Sequence, residues 1–440
     1  MHSKATDTTI GIDTAVVADH RVAVRGTTPA EDFAVPPTLA GMAMLTRRLA
    51  EHAPALAVAE PTGMTWLAIG HAVRAAGCDL TLVQPRHSAR LRGAIAGKHK
   101  TDVADADMLA GCADVFGLTA TTLPSPAQIA LRRAVRRRHR AIVDAHRSEC
   151  RLWALAAWAF PDVWHACQHA QPLLQPLLRC WPHLSQLARA RTASIAALCR
   201  QRLRRPGDVD RRAERIRDTA AGWADFWQDR LDLDALAWEI TELLDDIAAA
   251  DARIDRAAGH AHQLWRAAWD HDDLLTSLPG IGATIAPIIR AWFGDATQFD
   301  NGKQAAAFVG LNPSNWESGL MAAPSRPITK EGPPELRLAF YQAANVARRH
   351  DPQLAAFYWR LMVERSKTHI QANCAVARKL TTRVWATLTS ATPYELRDLD
   401  GTPIDRRDAT ELAAKWTVPT DVRRRTRTRV TAYRRGRLSS

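Results

Sequence analysis

Four carboxylates along this chain are spaced for metal-assisted phosphodiester chemistry. Asp13 closes an apolar, strand-like run (Thr9, Ile10, Gly11, Ile12), and Glu60 closes a second (Leu56, Ala57, Val58, Ala59). Asp102 and Asp105 stand three apart at the start of a helical stretch, so both project from one helix face. Carboxylate oxygens from two strand ends and one helix can hold two hard divalent cations about 4 Å apart, the arrangement that stabilises both oxygens of a phosphoryl transfer. Asp107 falls two residues after Asp105, faces elsewhere, and is expected to be supporting or solvated. Arg86, His99 and Lys100 lie close enough in sequence to contact a phosphate, or are simply exposed basic residues.

Positioning these groups takes an α/β framework. Strand signals at Thr8–Ile12, Val16–Ala18, Arg21–Val24, Leu56–Ala59 and Leu80–Val83 alternate with helical stretches Pro37–Glu51, Met64–Ala76 and Val103–Val115. Val16–Ala18 and Arg21–Val24 read as a hairpin turning at Asp19-His20. A lone Asp at a strand end is usually a turn residue. An ordered set on strand, strand and helix is the pattern of an RNase H-like nuclease. The prolines of Leu123-Pro124-Ser125-Pro126 end this character and mark a domain boundary.

Beyond it, Gln128–Phe160 is a long helical pattern carrying Arg132, Arg133, Arg136, Arg137, Arg138 and Arg140. A Trp- and Leu-rich stretch to about Arg230 is broken by Pro161, Pro172, Pro176 and Pro182. Then Leu236, Ile240, Leu243, Ile247, Ala250 and Ile254 recur in steps of four and three, a heptad seam. The helix around Leu131, Val135 and Ile142 is its natural antiparallel partner, although an ordinary helical bundle gives the same pattern. The expected division is an α/β domain over 1–122, a helical linker with stalk and Trp-rich insertion over 123–270, a mainly helical domain over 271–395, and a basic, disordered tail over 396–440.

Composition narrows the partners. A 440-residue chain with formal charge +13 favours a polyanion, although an Arg- and Ala-rich composition also reflects a GC-rich genome. The seven cysteines form no CxxC pair, which argues against zinc and a disulfide framework and for a reducing compartment. No run reaches the ~20 apolar residues that span a bilayer, and Met1–Asp7 lacks a signal peptide's apolar core. These features predict a cytoplasmic protein with no membrane partner.

Two further motifs carry chemistry. Leu278-Pro279-Gly280-Ile281-Gly282 precedes a helical run over Ala283–Phe293, and such a turn can offer backbone N–H groups to DNA phosphates as helix-hairpin-helix modules do. Gly280 and Gly282 are the candidate contacts, with plain tight-turn glycines as the alternative. Downstream, Gly310–Gly319 contains Ser318-Gly319, with Lys330 and Arg337 following. A loop serine near two cations could be an activated nucleophile, although Ser-Gly also marks countless surface turns.

Taken together, these segments resemble a DEDD transposase of the bacterial insertion-sequence family IS110, which includes Piv-type DNA invertases. The matching pieces are Gly11-Ile12-Asp13, Glu60-Pro61-Thr62-Gly63, Lys100–Ala106, Leu123-Pro124-Ser125, Pro279–Gly282, Gly310–Pro313, Ser318-Gly319, Ile328-Thr329-Lys330 and Ala375–Leu380. The resemblance implies a RuvC-like first domain whose Asp13, Glu60, Asp102 and Asp105 bind magnesium, with manganese as the alternative. It implies that Ser318, with Ser314 as an outside candidate, attacks DNA and becomes covalently joined to it. It also implies dimers or tetramers, and for some members a bridge RNA that selects DNA sites. The chain departs from the family pattern where Glu317 replaces the first serine of Ser-Ser-Gly, which sets a carboxylate beside the nucleophile. The stretch from Trp158 to Arg230 is also longer than a stalk requires.

The leading expectation is a transposase or recombinase. A plain RuvC-like endonuclease with a C-terminal domain that only binds DNA is the alternative. A catalytically dead nucleic-acid binder is disfavoured, because clustered carboxylates repel phosphates.

Overall fold

The computed structural model describes residues 8–27, 29–61, 63–95, 102–116, 120–168, 173–203, 207–269, 274–313 and 327–426. They form two compact units that divide between Ser125 and Pro126. Among the described residues no helix is long and apolar enough to cross a membrane.

The first unit is a mixed five-stranded sheet with helices on both faces. In chain order it comprises β1 (Thr9–Asp13), β2 (His20–Arg25), β3 (Glu31–Val35), α1 (Leu39–Ala50), β4 (Leu56–Ala59), α2 (Thr65–Ala75), β5 (Asp79–Leu82), α3 (Pro85–Ile95) and α4 (Asp102–Phe116). The strand order is β3-β2-β1-β4-β5, with β1–β2 and β2–β3 antiparallel and β1, β4 and β5 parallel. Alternation along the strands fills two cores. Ile10, Ile12, Val22, Val24, Ala57 and Ala59 pack with Leu45, Leu49, Ile69 and Val73 of α1 and α2. Val58 instead packs with Met108, Leu109 and Cys112 of α4 on the opposite face. Thr38 starts α1 by accepting the Gly41 N–H at 3.1 Å.

Here the structure corrects the sequence reading. Residues 16–18 are a bend, not a strand, with Val16 76% and Val17 88% exposed. The hairpin is β2–β3 instead, and β3 (EDFAV) escapes a periodicity search because its side chains are only partly buried at the sheet edge. Helix α3 was also not anticipated, its sequence being too polar to show an apolar stripe.

The second unit is helical. Its elements are α5 (Pro126–Ala159), α6 (Pro161–Gln168), α7 (Leu174–Cys180), α8 (Leu184–Arg189), α9 (Thr192–Arg202), α10 (Val209–Trp227), α11 (Leu233–Trp269), α12 (Ala286–Phe293), α13 (Gly302–Val309), α14 (Pro334–Ala347), α15 (Pro352–Val363), α16 (His369–Ser390) and α17 (Arg406–Lys415). Helices α5 and α11 pair lengthwise, roughly 50 and 55 Å long at 1.5 Å per residue. The start of α5 (Leu131, Val135) shares a core with the end of α11 (Ala261, Trp265), whereas its end (Leu152, Leu155) meets the start of α11 (Leu236, Ile240). The pair is therefore antiparallel. Between the cores the buried positions are small, Ala141, Ala145 and Ser148 facing Ala250 and Ala257.

One core joins α6–α10 to the far end of this stalk, and the other joins α12–α16 to its near end. The expectation of a disordered tail from 396 is wrong for its first 31 residues, 396–426. Helix α17 packs on α15, Trp416 meets Trp359 edge-on at 5.4 Å, and Val418 and Val422 enter the core. Apolar side chains spaced among the arginines supply enough burial to order that segment. Residues 427–440 lie outside the described residues.

Candidate functional site

Gly11 fixes the geometry of the first unit's acidic edge. Its neighbours Ile10 and Ile12 enter the α1–α2 core, so Gly11 faces α4. A Cβ there would stand 1.8 Å from the Ala106 carbonyl oxygen and 2.5 Å from the Ala110 nitrogen, so the helix backbone rests directly on the strand. Asp13, two residues on, shares this parity and lies on the α4 side at the strand's end.

The direction of α4 follows from two contacts. Asp107 pairs with Arg25, whose sheet partner is Thr9, while Val103 lines a small cleft with Arg21, whose sheet partner is Asp13. Helix α4 therefore runs antiparallel to β1 and brings Asp102, its first residue, to the Asp13 end. The Asp102 side chain lies outside the described residues. Asp107, with its side chain half exposed on Arg25, is not part of this edge.

Glu60 follows β4 directly, and the parallel register Ile12↔Ala59 sets it beside Asp13 on the neighbouring strand. Helix α3 links Glu60 to Asp105. The Ser88 hydroxyl donates to Glu60 Oε1, and Arg92 Nε donates to Asp105 Oδ1 at 2.8 Å. Ser88 and Arg92 are four apart, so one face of α3 engages both carboxylates. Asp105 is 5% exposed, and Arg92 balances its charge. Burial, reinforced by the negative charge of Glu60, pushes the Cys112 thiol beneath this edge up to about 11. Sequence reasoning missed Ser88 and Arg92 because it assigned no helix there.

Asp13, Glu60 and Asp105 offer hard oxygen donors, which suit magnesium or manganese rather than a thiophilic metal. Among the described residues no three His, Cys, Asp or Glu side chains converge as a ready-made metal site. Arg86 belongs to α3 but its side chain is not described, and His99 and Lys100 lie outside the described residues.

In the second unit, Ser314, Glu317 and Ser318 also lie outside the described residues. The two chain ends that flank 314–326 are described, and they are pinned together. Pro313 and Ile328 form an antiparallel bridge, Thr329 N–H donates to Asn312 O at 2.9 Å, and Lys330 N–H donates to Gly310 O at 3.1 Å. Gly332 fits against α13 so closely that a Cβ would meet Phe308 O at 1.9 Å. Arg378 of α16 donates to Asn312 Oδ1 at 2.9 Å, and Arg337 Nη1 donates to Gly332 O at 3.0 Å. Lys330 is exposed with φ +58°, and Arg337 is half-buried, its guanidinium pulled down by burial against the opposing pull of Glu335. The Cys374 thiol is pushed up by burial, while nearby Arg337 and Lys330 act in the opposite sense. Positive charge thus gathers where the chain leaves and re-enters.

The Gly280–Gly282 turn does two different things. Gly280, at φ +83°, lies so near α14 that a Cβ would stand 2.4 Å from Ala343 O, which is a packing role. Gly282 is exposed with open space around it. A short 3-10 turn over Leu274–Ser277 precedes the pair, and α12 begins at Ala286 rather than Ala283, with Pro287 in its first turn.

A mixed sheet with carboxylates at adjoining strand ends, followed by a basic stalk and a helical C-terminal domain, is the architecture expected of a DEDD transposase. Comparison with known proteins agrees. Residues 10–161 match the family model for IS110-type DEDD proteins, described as "Transposase", and residues 272–359 match "Transposase IS116/IS110/IS902 family". The chain belongs to the IS110 family of insertion-sequence transposases. It is 30% identical over 163 residues to a protein of insertion element IS110 from Streptomyces coelicolor, covering 37% of this chain and 38% of that one. It is 33% identical over 125 residues to the pilin gene-inverting protein of Moraxella lacunata, covering 28% and 38%. A transposase for insertion sequence element IS1111A from Coxiella burnetii is 31% identical over 121 residues, covering 27% and 33%. These alignments span well under half the length of each relative. Residues 162–271 fall between the two family matches.

Proposed function

We propose that the chain is a transposase or site-specific recombinase that cuts and rejoins DNA. In this reading the first unit is RNase H-like, and Asp13, Glu60, Asp102 and Asp105 bind magnesium. Ser318 is the nucleophile. The observation that carries the proposal is the convergence at one sheet edge: Asp13 and Glu60 end neighbouring parallel strands, and α4, resting on Gly11, delivers Asp102 to the same end. The bound metal would supply positive charge for the phosphate oxygens and the leaving oxygen.

The remaining steps belong to the chain's own residues. The Ser318 hydroxyl gives up its proton and its oxygen bonds to phosphorus as the bond to a sugar oxygen breaks; the released sugar oxygen takes a proton. Attack by a sugar hydroxyl on the serine-linked phosphate reverses these changes and frees the serine. In this reading Lys330, Arg337 and the exposed Gly282 turn take backbone phosphates, which the exposure of Lys330 and Gly282 supports. Arg92, paired with Asp105 at 2.8 Å, holds that carboxylate in place and would yield it to a bound cation. A structured RNA and a dimer or tetramer are the partners that the family resemblance suggests.

The test is a covalent adduct. Purified protein mixed with DNA carrying its element's ends and magnesium should give a protein–DNA species that survives denaturing electrophoresis. Ser318→Ala should abolish it while leaving the melting temperature unchanged. Cleavage without any adduct would favour a metal-dependent endonuclease, and a full adduct yield from Ser318→Ala would remove the serine from the mechanism.

A further inference from the structure

We propose that the solvent face of α5 and the aromatic cluster at its end form a track for single-stranded DNA, with phosphates on arginines and unpaired bases on the rings. The proposal rests on the reading of the chain as a DNA-acting protein. At about 100° per residue, Arg133, Arg137, Arg140, Arg147, Arg151 and Trp158 all fall within about 40° of one line along the helix. Each of the six is exposed. Two residues interrupt the line: Asp144, which pairs with Arg147 at 3.7 Å, and Leu155, which turns into the core between Arg151 and Trp158. The arginines extend over roughly 27 Å and Trp158 stands roughly 10 Å further on, from the helical rise.

Trp158 is 51% exposed and meets Trp227 edge-on at 6.2 Å. Trp227 stacks on Trp223 at 6.0 Å, and Phe226, 49% exposed, lies 5.3 Å from Trp223 and 4.9 Å from Trp227. The indoles are held in place by their N–H groups, Trp223 donating to Asp162 Oδ2 at 2.9 Å and Trp227 to Ala159 O at 2.6 Å. Arg230 lies 5.3 Å from the Phe226 ring. Half-exposed rings oriented from below, with a guanidinium on one of them, are a stacking platform rather than a core that failed to close.

Charge selects the occupant. A row of arginines leading onto the cluster repels the same row on a second copy and attracts a polyanion. Duplex DNA would satisfy the arginines but keeps its bases stacked on each other, so only an unpaired strand uses both halves of the track. The platform is built largely from α10, inside the stretch that neither family match covers.

The experiment measures fluorescence anisotropy of the full chain with a labelled oligo(dT) strand, a duplex of equal length and oligo(U), over a range of salt. Replacing both exposed rings, Trp158→Ala with Phe226→Ala, should weaken oligo(dT) binding at least about tenfold. Duplex affinity and salt slope should stay unchanged. Trp158→Leu keeps the apolar packing but removes the ring, and should show the same selective loss if the double variant unfolds. Arg147→Glu with Arg151→Glu should weaken both DNA forms and flatten the salt slope for oligo(dT) by about 1.4, at ~0.7 per phosphate. Unchanged oligo(dT) affinity in the ring variants overturns the proposal. So does a change in self-association at constant affinity, which would mean that a second copy covers the rings. Oligo(U) bound more than tenfold tighter than oligo(dT) overturns the DNA assignment. Ser318→Ala protein should bind oligo(dT) like wild type, so failure of the catalytic reading would not be mistaken for failure of the track.

Discussion

Replacing Gly11 with alanine tests whether the acidic edge depends on α4 lying directly on β1. The added Cβ would stand 1.8 Å from the Ala106 carbonyl oxygen and 2.5 Å from the Ala110 nitrogen. A comfortable C···O contact is about 3.3 Å, so the helix must lift by roughly 1.5 Å. Both obstructing groups are backbone, and no rotamer change relieves them. Overpacking costs about 1–3 kcal/mol, and a backbone clash belongs at the upper end. At roughly 3 °C per kcal/mol for a unit of this size, the first unit should melt about 10 °C lower.

The lift also separates Asp102 and Asp105 from Asp13 and Glu60. A displacement near 1 Å in a reacting constellation costs on the order of 100-fold in rate. Calorimetry and a strand-cleavage assay should therefore show both losses together. Gly111→Ala on the same helix is the control, because nothing lies within 4 Å of a Cβ there. It should stabilise the helix by about 0.5–1 kcal/mol and leave cleavage intact. A Gly11→Ala protein that melts and cuts like wild type would refute the packing argument, as would equal losses from Gly111→Ala.

Two further outcomes concern the second unit. Asp351, 1% exposed, accepts the Leu354 N–H at 3.0 Å and the Tyr394 hydroxyl at 2.8 Å while pairing with Arg383; Asp351→Ala should cost about 3–5 kcal/mol in urea unfolding, and a loss under 1 kcal/mol would contradict the paired-charge account. Burial and then the charges of Arg348, Arg423 and Arg349 hold His369 below its ordinary 6.5, so the unfolded chain takes up this proton first. That share of stability is complete above pH 6.5 and is lost as pH falls towards the folded value. His369→Gln should flatten the slope in a pH series of melts, although His20, lowered by burial, leaves a residue of it.

Legibility from sequence followed burial. Asp13 and Glu60 could be found because each ends a short run of apolar residues that the structure buries. The seam from Leu236 to Ala250 could be found because a helix pressed against one partner buries every third or fourth residue. Where burial is partial the signal vanished: β3 lies at the sheet edge, and α3 is nearly all polar. Val16 and Val17 misled for the opposite reason, as apolar residues on an exposed bend. Contacts that join distant segments were invisible in principle. Nothing local to Ser88 or Arg92 announces Glu60 or Asp105, and nothing local to Gly11 announces Ala106.

Net charge was ambiguous as a bare sum, since a GC-rich genome scatters arginine everywhere, but its distribution is not. Helix α5 holds eight arginines and two carboxylates, whereas its partner α11 holds seven carboxylates and three arginines. A compositional bias has no means of sorting sign between two helices of one stalk. Part of the α5 set has a structural task. Arg132 and Arg136 lie over Trp292 at 4.9 and 4.8 Å, and burial beside Arg136 pulls the Arg132 guanidinium down to about 10. Arg138 sits half-buried near the seam, its charge disfavoured by burial and supported by Asp255. Subtracting these leaves the exposed arginines that share one solvent face of the helix. Self-repulsion along that row weakens the stalk, so an anion that lies on it gains affinity from the same charges that cost the free protein stability.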